Sequence, residues 1–132
     1  MPVSPETNIA TRDTFLTTVD GKFTSLVTEI DATIRAVSSD LEGYISYKML
    51  MYRVGQTCSD WLIAIDARGT KCVTLRFFKG VHFLDTEKLL RLGTTTIGNL
   101  DFTASLTPSD TARITDFTKQ AIAWHAHEAS QK

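Results

Sequence analysis

Apolar residues recur at three- and four-residue steps through Phe15, Val19, Phe23, Leu26, Ile30, Ile34 and Val37, a helical stripe interrupted once by Gly21. The spacing predicts a short helix near residues 12–18 and a main helix from about 21 to 37, with Asp20 as its N-cap. Asp31 and Arg35 fall off the stripe, four residues apart, as a supporting ion pair. Ser38-Ser39-Asp40 ends the helix and a turn through Leu41-Glu42-Gly43 follows. Alternation through Tyr47, Met49 and Met51 then predicts a strand, straight or bent.

The stretch Trp61 to Gly80 carries two β-patterned runs joined at a glycine and reads as a hairpin. With Ala67-Arg68-Gly69 as a three-residue loop, Asp66 closes against Thr70. Odd residues then share one apolar face: Trp61, Ile63, Ile65, Val73, Leu75 and Phe77. The even face holds Leu62, Ala64, Asp66, Cys72, Thr74, Arg76 and Phe78, too mixed for a core and too apolar for an ordinary wet surface. In this register Arg76 lies across from Asp60 and Cys72 across from Ala64.

Beyond Phe78 the pattern predicts a short helix over 86–92, with Asp85 as N-cap, Leu84 and Leu89 as a hydrophobic staple and Gly93 as the terminating glycine. The β-branched TTTIGNLDFTA predicts a further strand with a bulge at Gly98. Thr107-Pro108-Ser109-Asp110 is a helix start, and Ile114, Phe117, Ala121 and Trp124 mark the buried stripe of a helix running to about His127. Residues 1–11 and 129–132 read as flexible ends around one domain, 12–128. Strands grouped between terminal helices predict a two-layer α+β fold: an antiparallel sheet of about four to five strands with the N- and C-terminal helices on one face. Phe23, Ile30, Ile114 and Phe117 are expected against the odd face of the hairpin.

Bulk composition leaves this picture intact. The chain has 132 residues, 42% hydrophobic and 22% charged, which suits one globular domain. No apolar run approaches the roughly 20 residues that span a bilayer. The first residues lack the basic and apolar segments of a signal peptide, so a cytoplasmic protein is expected. A net charge of −1 lacks the electrostatic footprint of a nucleic-acid binder. Charge is nonetheless uneven: residues 1–45 hold three basic and seven acidic side chains, and 46–92 hold eight and four. Cys58 and Cys72 are expected as reduced thiols, because the hairpin register separates them by on the order of 20 Å.

The segment LRFFKGVHFLDTEKLLRLGT, Leu75 to Thr94, resembles the pattern of the YdhG-like domain family: strand, Phe-Phe-basic-Gly, an Asp-led turn and Leu-Leu before glycine. The resemblance extends over roughly Thr11 to His127. Tyr44 to Tyr52 is similar to the family's strand around a Met-Pro pair, with Met49 in the methionine place, Leu50 in place of proline and Lys48 in place of glycine. The family's basic segment is replaced by Gly98-Asn99-Leu100-Asp101. The family has no established function, although some members are described as frataxin-like iron chaperones. The resemblance thus implies an α+β domain and, as an alternative function, iron carriage.

Candidate chemistry is sparse. Under the iron reading the acidic N-terminal region would supply Asp20, Glu29, Asp31, Asp40 and Glu42, but their spacing is not that of a site, since Glu29 and Asp31 diverge by about 200° on a helix. His125 and His127 are two apart, His82 is alone, and no CxxC or HExxH pattern is present, so zinc chemistry is not indicated. No GxSxG or phosphate-binding glycine loop occurs, and no catalytic residue is named. The remaining candidate is the even face of the hairpin with its neighbours: Lys48, Tyr52, Leu62, Thr74, Arg76 and Phe78. The leading expectation is a small, non-catalytic domain that binds a small ligand or a protein there without a cofactor, a homodimer being the simplest protein partner. An enzyme acting on a small anionic substrate at the basic middle of the sheet is a second alternative.

Overall fold

The computed structural model describes residues 5–54, 61–69 and 71–130. Helix α1 (Pro5–Leu16) and a 3-10 turn (Gly21–Phe23) precede α2 (Thr24–Arg35). Strands β1 (Leu41–Ser46), β2 (Met49–Val54), β3 (Ile63–Asp66) and β4 (Val73–Phe77) follow, then a 3-10 turn (Gly80–His82), β5 (Arg91–Leu92), β6 (Gly98–Phe102) and α3 (Pro108–Ser130). The six strands form one sheet in the order β1-β2-β3-β4-β6-β5, with every neighbouring pair antiparallel. The fold is α+β, and its sheet has one strand more than the upper expectation.

Register sorts the two faces. Gly43, Tyr52, Ile63, Phe77 and Gly98 form one cross-strand row, and Ile45, Leu50, Ile65, Leu75 and Leu100 the next. Most of this face joins a core cluster with Phe15 of α1, Leu26, Ile30 and Ile34 of α2, and Ile114, Phe117 and Ala121 of α3. Burial of such side chains contributes about 1.5–3 kcal/mol each. The expected seating of Phe23, Ile30, Ile114 and Phe117 on the odd face is therefore what the chain adopts.

Several local expectations are corrected. The loose terminus predicted for residues 1–11 contains the start of α1 at Pro5. Asn8 there is buried, and its side-chain amide donates to Leu41 O and accepts from Gly43 N, both at 3.0 Å. That amide stands in for a neighbouring strand and closes the β1 edge. The single strand predicted after Gly43 is two strands, and its supposed entry turn, Leu41 to Gly43, is the start of β1. Ser46 pairs with Met49 across a two-residue loop in which Tyr47 (φ 52°) and Lys48 (φ 62°) are both left-handed, as a type I′ hairpin requires.

No helix forms over 86–92. The Asp85 carboxylate accepts from Leu89 N and Leu90 N at 2.9 and 2.8 Å, Lys88 turns left-handed (φ 54°), and the chain is delivered into β5. Leu84 is 74% exposed, so the staple is not made. The start of α3 matches its expectation: Thr107 N donates to Asp110 Oδ2 at 3.0 Å and Asp110 N to Thr107 Oγ1 at 3.1 Å, a reciprocal capping box ahead of the buried stripe. Gly80 and Gly98 let two backbone segments touch, since a Cβ on Gly80 would lie 2.6 Å from Gly98 N.

Candidate functional site

The central hairpin keeps the predicted faces from Ile63 onward with a different register; Trp61, expected on the core face, is half-buried against Tyr47 and Phe78 outside the core cluster. Asp66 pairs with Thr74 and Arg76 with Ala64, so the three-residue loop is corrected to a longer connection. Its cause is Asp66 itself: Oδ1 accepts from the Arg68 backbone N at 3.2 Å, an Asx-type turn that carries the chain away from the ladder. The offset is an even number of residues, which is why Ile63, Ile65, Val73, Leu75 and Phe77 remain on the core side. Asp60 and Cys58 lie outside the described residues; Cys72 is a free thiol.

Opposite the core, one row runs Tyr44, Met51, Ala64, Arg76, Asn99 and Arg91 across all six strands, beside a second row of Asp66, Thr74 and Asp101. A polar network links the last four strands. Asp66 Oδ2 accepts from Arg68 Nη2 and Arg76 Nη2, each at 2.9 Å, and Oδ1 also accepts from Arg68 Nε at 3.0 Å. Arg76 Nη1 donates to Asn99 Oδ1 at 3.1 Å. Thr74 donates to Asp101 at 2.7 Å, and Arg91 grips the same carboxylate with two bonds of 3.1 Å. On the other side of the face Arg53 donates to Glu42 at 2.6 Å and lies 4.5 Å from the Tyr44 ring centre.

These contacts set the charge states. Hydrogen bonding from Arg68 is the largest cause holding the Asp66 carboxyl below the usual carboxylate range; burial opposes it, and Arg76 and the Arg68 backbone add to the lowering. Asp101 is likewise lowered, chiefly by its bonds from Arg91, with Thr74 contributing. Both remain ionised at neutral pH and are poor proton acceptors. The arrangement supports fixed-charge recognition better than acid–base chemistry.

Two hollows flank the network. One of about 390 Å³ is lined by Asp66, Gly69, Lys71, Cys72 and Thr74. The other, about 540 Å³, lies between the outer end of β6 and the start of α3, with Arg91, Asp101, Asp110 and Arg113 in its wall. Its two arginines face matching carboxylates: Arg91 pairs with Asp101, and Arg113 reaches Glu87 at 3.4 Å and Asp110 at 4.0 Å. The larger hollow is therefore balanced in charge.

Of the six surface candidates, Thr74 and Arg76 stand together in the network. Lys48 is exposed at the β1–β2 turn. Phe78 is half-buried, its ring 5.8 Å from that of Trp61, which in turn lies 5.4 Å from Tyr47. Tyr52 and Leu62 are corrected to the core. Leu62, 5% exposed and held by backbone bonds to Tyr52 O and from Phe78 N, precedes the regular alternation of β3. Tyr52 falls on the helix-covered face, where its hydroxyl donates to Asp31 Oδ1 at 2.6 Å.

The five acidic candidates are not brought together. Asp20 caps the first 3-10 turn through Lys22 N, and Glu29 accepts from Leu106 N at 3.2 Å. Asp31 lies in the core, 1% exposed, rather than off the apolar stripe; it does bind Arg35, as expected, at 2.9 and 2.7 Å. Glu42 is paired with Arg53, and Asp40 is exposed in a turn. Among the described residues no three His, Cys, Asp or Glu side chains converge as a metal site would require. Asn99, Asp101 and Arg91 were not among the sequence candidates because only the β4–β6–β5 pairing places them beside Thr74 and Arg76.

Comparisons with family models, with curated proteins and with solved structures return no match. No helix among the described residues is long and apolar enough to cross a membrane.

Proposed function

We propose that this chain is a small, non-catalytic cytoplasmic binding domain of the YdhG-like type, and that it engages a ligand or partner through the sheet face opposite its main core. The observation that carries this reading is the polar network from Asp66 to Arg91, fixed across four strands and flanked by two hollows. Asp66, Thr74 and Asn99 are buried and hydrogen-bonded, and the arginines that satisfy Asp66 and Asn99 are held pre-positioned, which reduces the ordering cost of binding. The family assignment draws on the Leu75–Thr94 resemblance. The iron-carrier alternative draws less support, because Asp31 and Glu42 already neutralise arginines and Asp20 serves as a cap.

An amide-shift map of the labelled protein tests the reading. Candidate small molecules, and the protein itself at rising concentration, should perturb Thr74, Arg76, Asn99 and Asp101. Anaerobic ferrous iron should leave the N-terminal acidic residues unperturbed. Micromolar iron binding that survives physiological salt, and that Glu29→Gln with Asp40→Asn abolishes, would replace this reading with the iron-carrier one.

A further inference from the structure

We infer that the hollow lined by Asp66, Gly69, Lys71, Cys72 and Thr74 is an oxyanion site, taking the phosphate or carboxylate group of a small ligand on Arg68 and Lys71 with Arg76 behind them. The inference deepens the reading above, of binding at the polar network, and rests on it.

Charge balance selects this hollow over the larger one. Asp66 is bonded by Arg68 and Arg76 and shares the wall of the hollow with Lys71, so these four groups together carry a surplus of two positive charges. The larger hollow has no such surplus, since its arginines are matched by Asp101, Asp110 and Glu87. Asp66 is also saturated: each of its oxygens accepts two bonds, from Arg68 N and Nε on one and from Arg68 Nη2 and Arg76 Nη2 on the other. It therefore offers nothing further to a cation. What it does is hold two guanidinium forks in place with N–H groups left over, which suits a planar or tetrahedral oxyanion. Lys71 is exposed on the rim and has no salt bridge among the described residues, so its charge is available to a ligand. A volume of about 390 Å³ suits a compact ligand.

The experiment is an amide-shift titration with inorganic phosphate and, separately, with succinate, each against sodium chloride at matched ionic strength. Saturable shifts centred on Gly69, Lys71, Cys72 and Thr74 are expected with at least one anion, and which one saturates distinguishes the phosphate from the carboxylate source. Arg68→Ala and Lys71→Ala alter exposed side chains, so the fold should persist, and each should weaken binding by about tenfold. Arg68→Lys should recover only part of the loss, because an ammonium lacks the fork. Saturable shifts centred instead on Arg91 and Arg113 would overturn this site while leaving the polar-network reading standing. Shifts equal to those in sodium chloride would overturn the oxyanion inference. The polar-network reading would fall separately, if its wider panel and the self-association series also left Thr74, Arg76, Asn99 and Asp101 unmoved.

Discussion

The Tyr52 hydroxyl and the Arg35 guanidinium meet on Asp31 inside the core, with Arg12 at 4.0 Å from the same carboxylate. A buried carboxylate is costly unless its lone pairs are filled, and here Tyr52 fills one oxygen while Arg35 fills the other. Tyr52→Phe keeps the ring and removes one donor, so the expected destabilisation is about 1–3 kcal/mol, measured by chemical denaturation. Burial, then the Asp31 charge and their hydrogen bond, push the Tyr52 hydroxyl well above the ordinary tyrosine range. The unfolded chain thus loses this proton first as pH rises, and stability present below about pH 10 declines above it. Tyr52→Phe should reduce that alkaline decline. The i,i+4 pair with Arg35 was legible in the sequence, but the third partner was not, because Tyr52 reaches Asp31 only once β2 is set against α2.

At the scale of elements, the long periodic patterns translated directly into structure. The stripe of α2, the alternation of β3 and β4 and the capped start of α3 each rest on several residues that agree. The failures occur where a single side chain redirects the backbone: Asp66 lengthens the β3–β4 connection, and Asp85 takes up amides that the predicted helix would have used. The β1–β2 hairpin was hidden for a related reason, since Tyr47-Lys48 occupies a turn that usually signals itself with Asn-Gly. A left-handed Lys48 is strained by about 1 kcal/mol relative to glycine, so Lys48→Gly should raise the melting temperature by a few degrees. Anion binding in the hollow at the β3–β4 connection, which Lys48 does not line, should be unaffected. The β1 edge gives the converse test. Asn8→Ala leaves Leu41 O and Gly43 N without their side-chain partner, and should cost about 1–3 kcal/mol and speed hydrogen exchange at Gly43.

Across the whole molecule the sheet divides two kinds of chemistry: apolar side chains from three helices on one face, and on the other fixed charges whose pairing depends on strands distant in sequence. The even side of the hairpin was visible as an anomalous face from its composition, yet its partners on β5 and β6 required the full strand order, which no local pattern encodes. That division makes acid stability a readout of the charged face. Asp66 and Asp101 have lowered folded-state values, so their contribution is complete above the unfolded carboxylate value of about 4 and is lost as pH falls toward the folded ones. Unfolding free energy should accordingly hold nearly level from pH 7 to about 5 and fall steeply below about 4. Asp101→Asn removes one of the two groups without altering the core, and should both lower stability at pH 7 and flatten the acid limb. A steep limb unchanged in Asp101→Asn would place the acid-sensitive charge elsewhere, leaving the Arg91 to Asp101 contact with no measurable part in holding the face together.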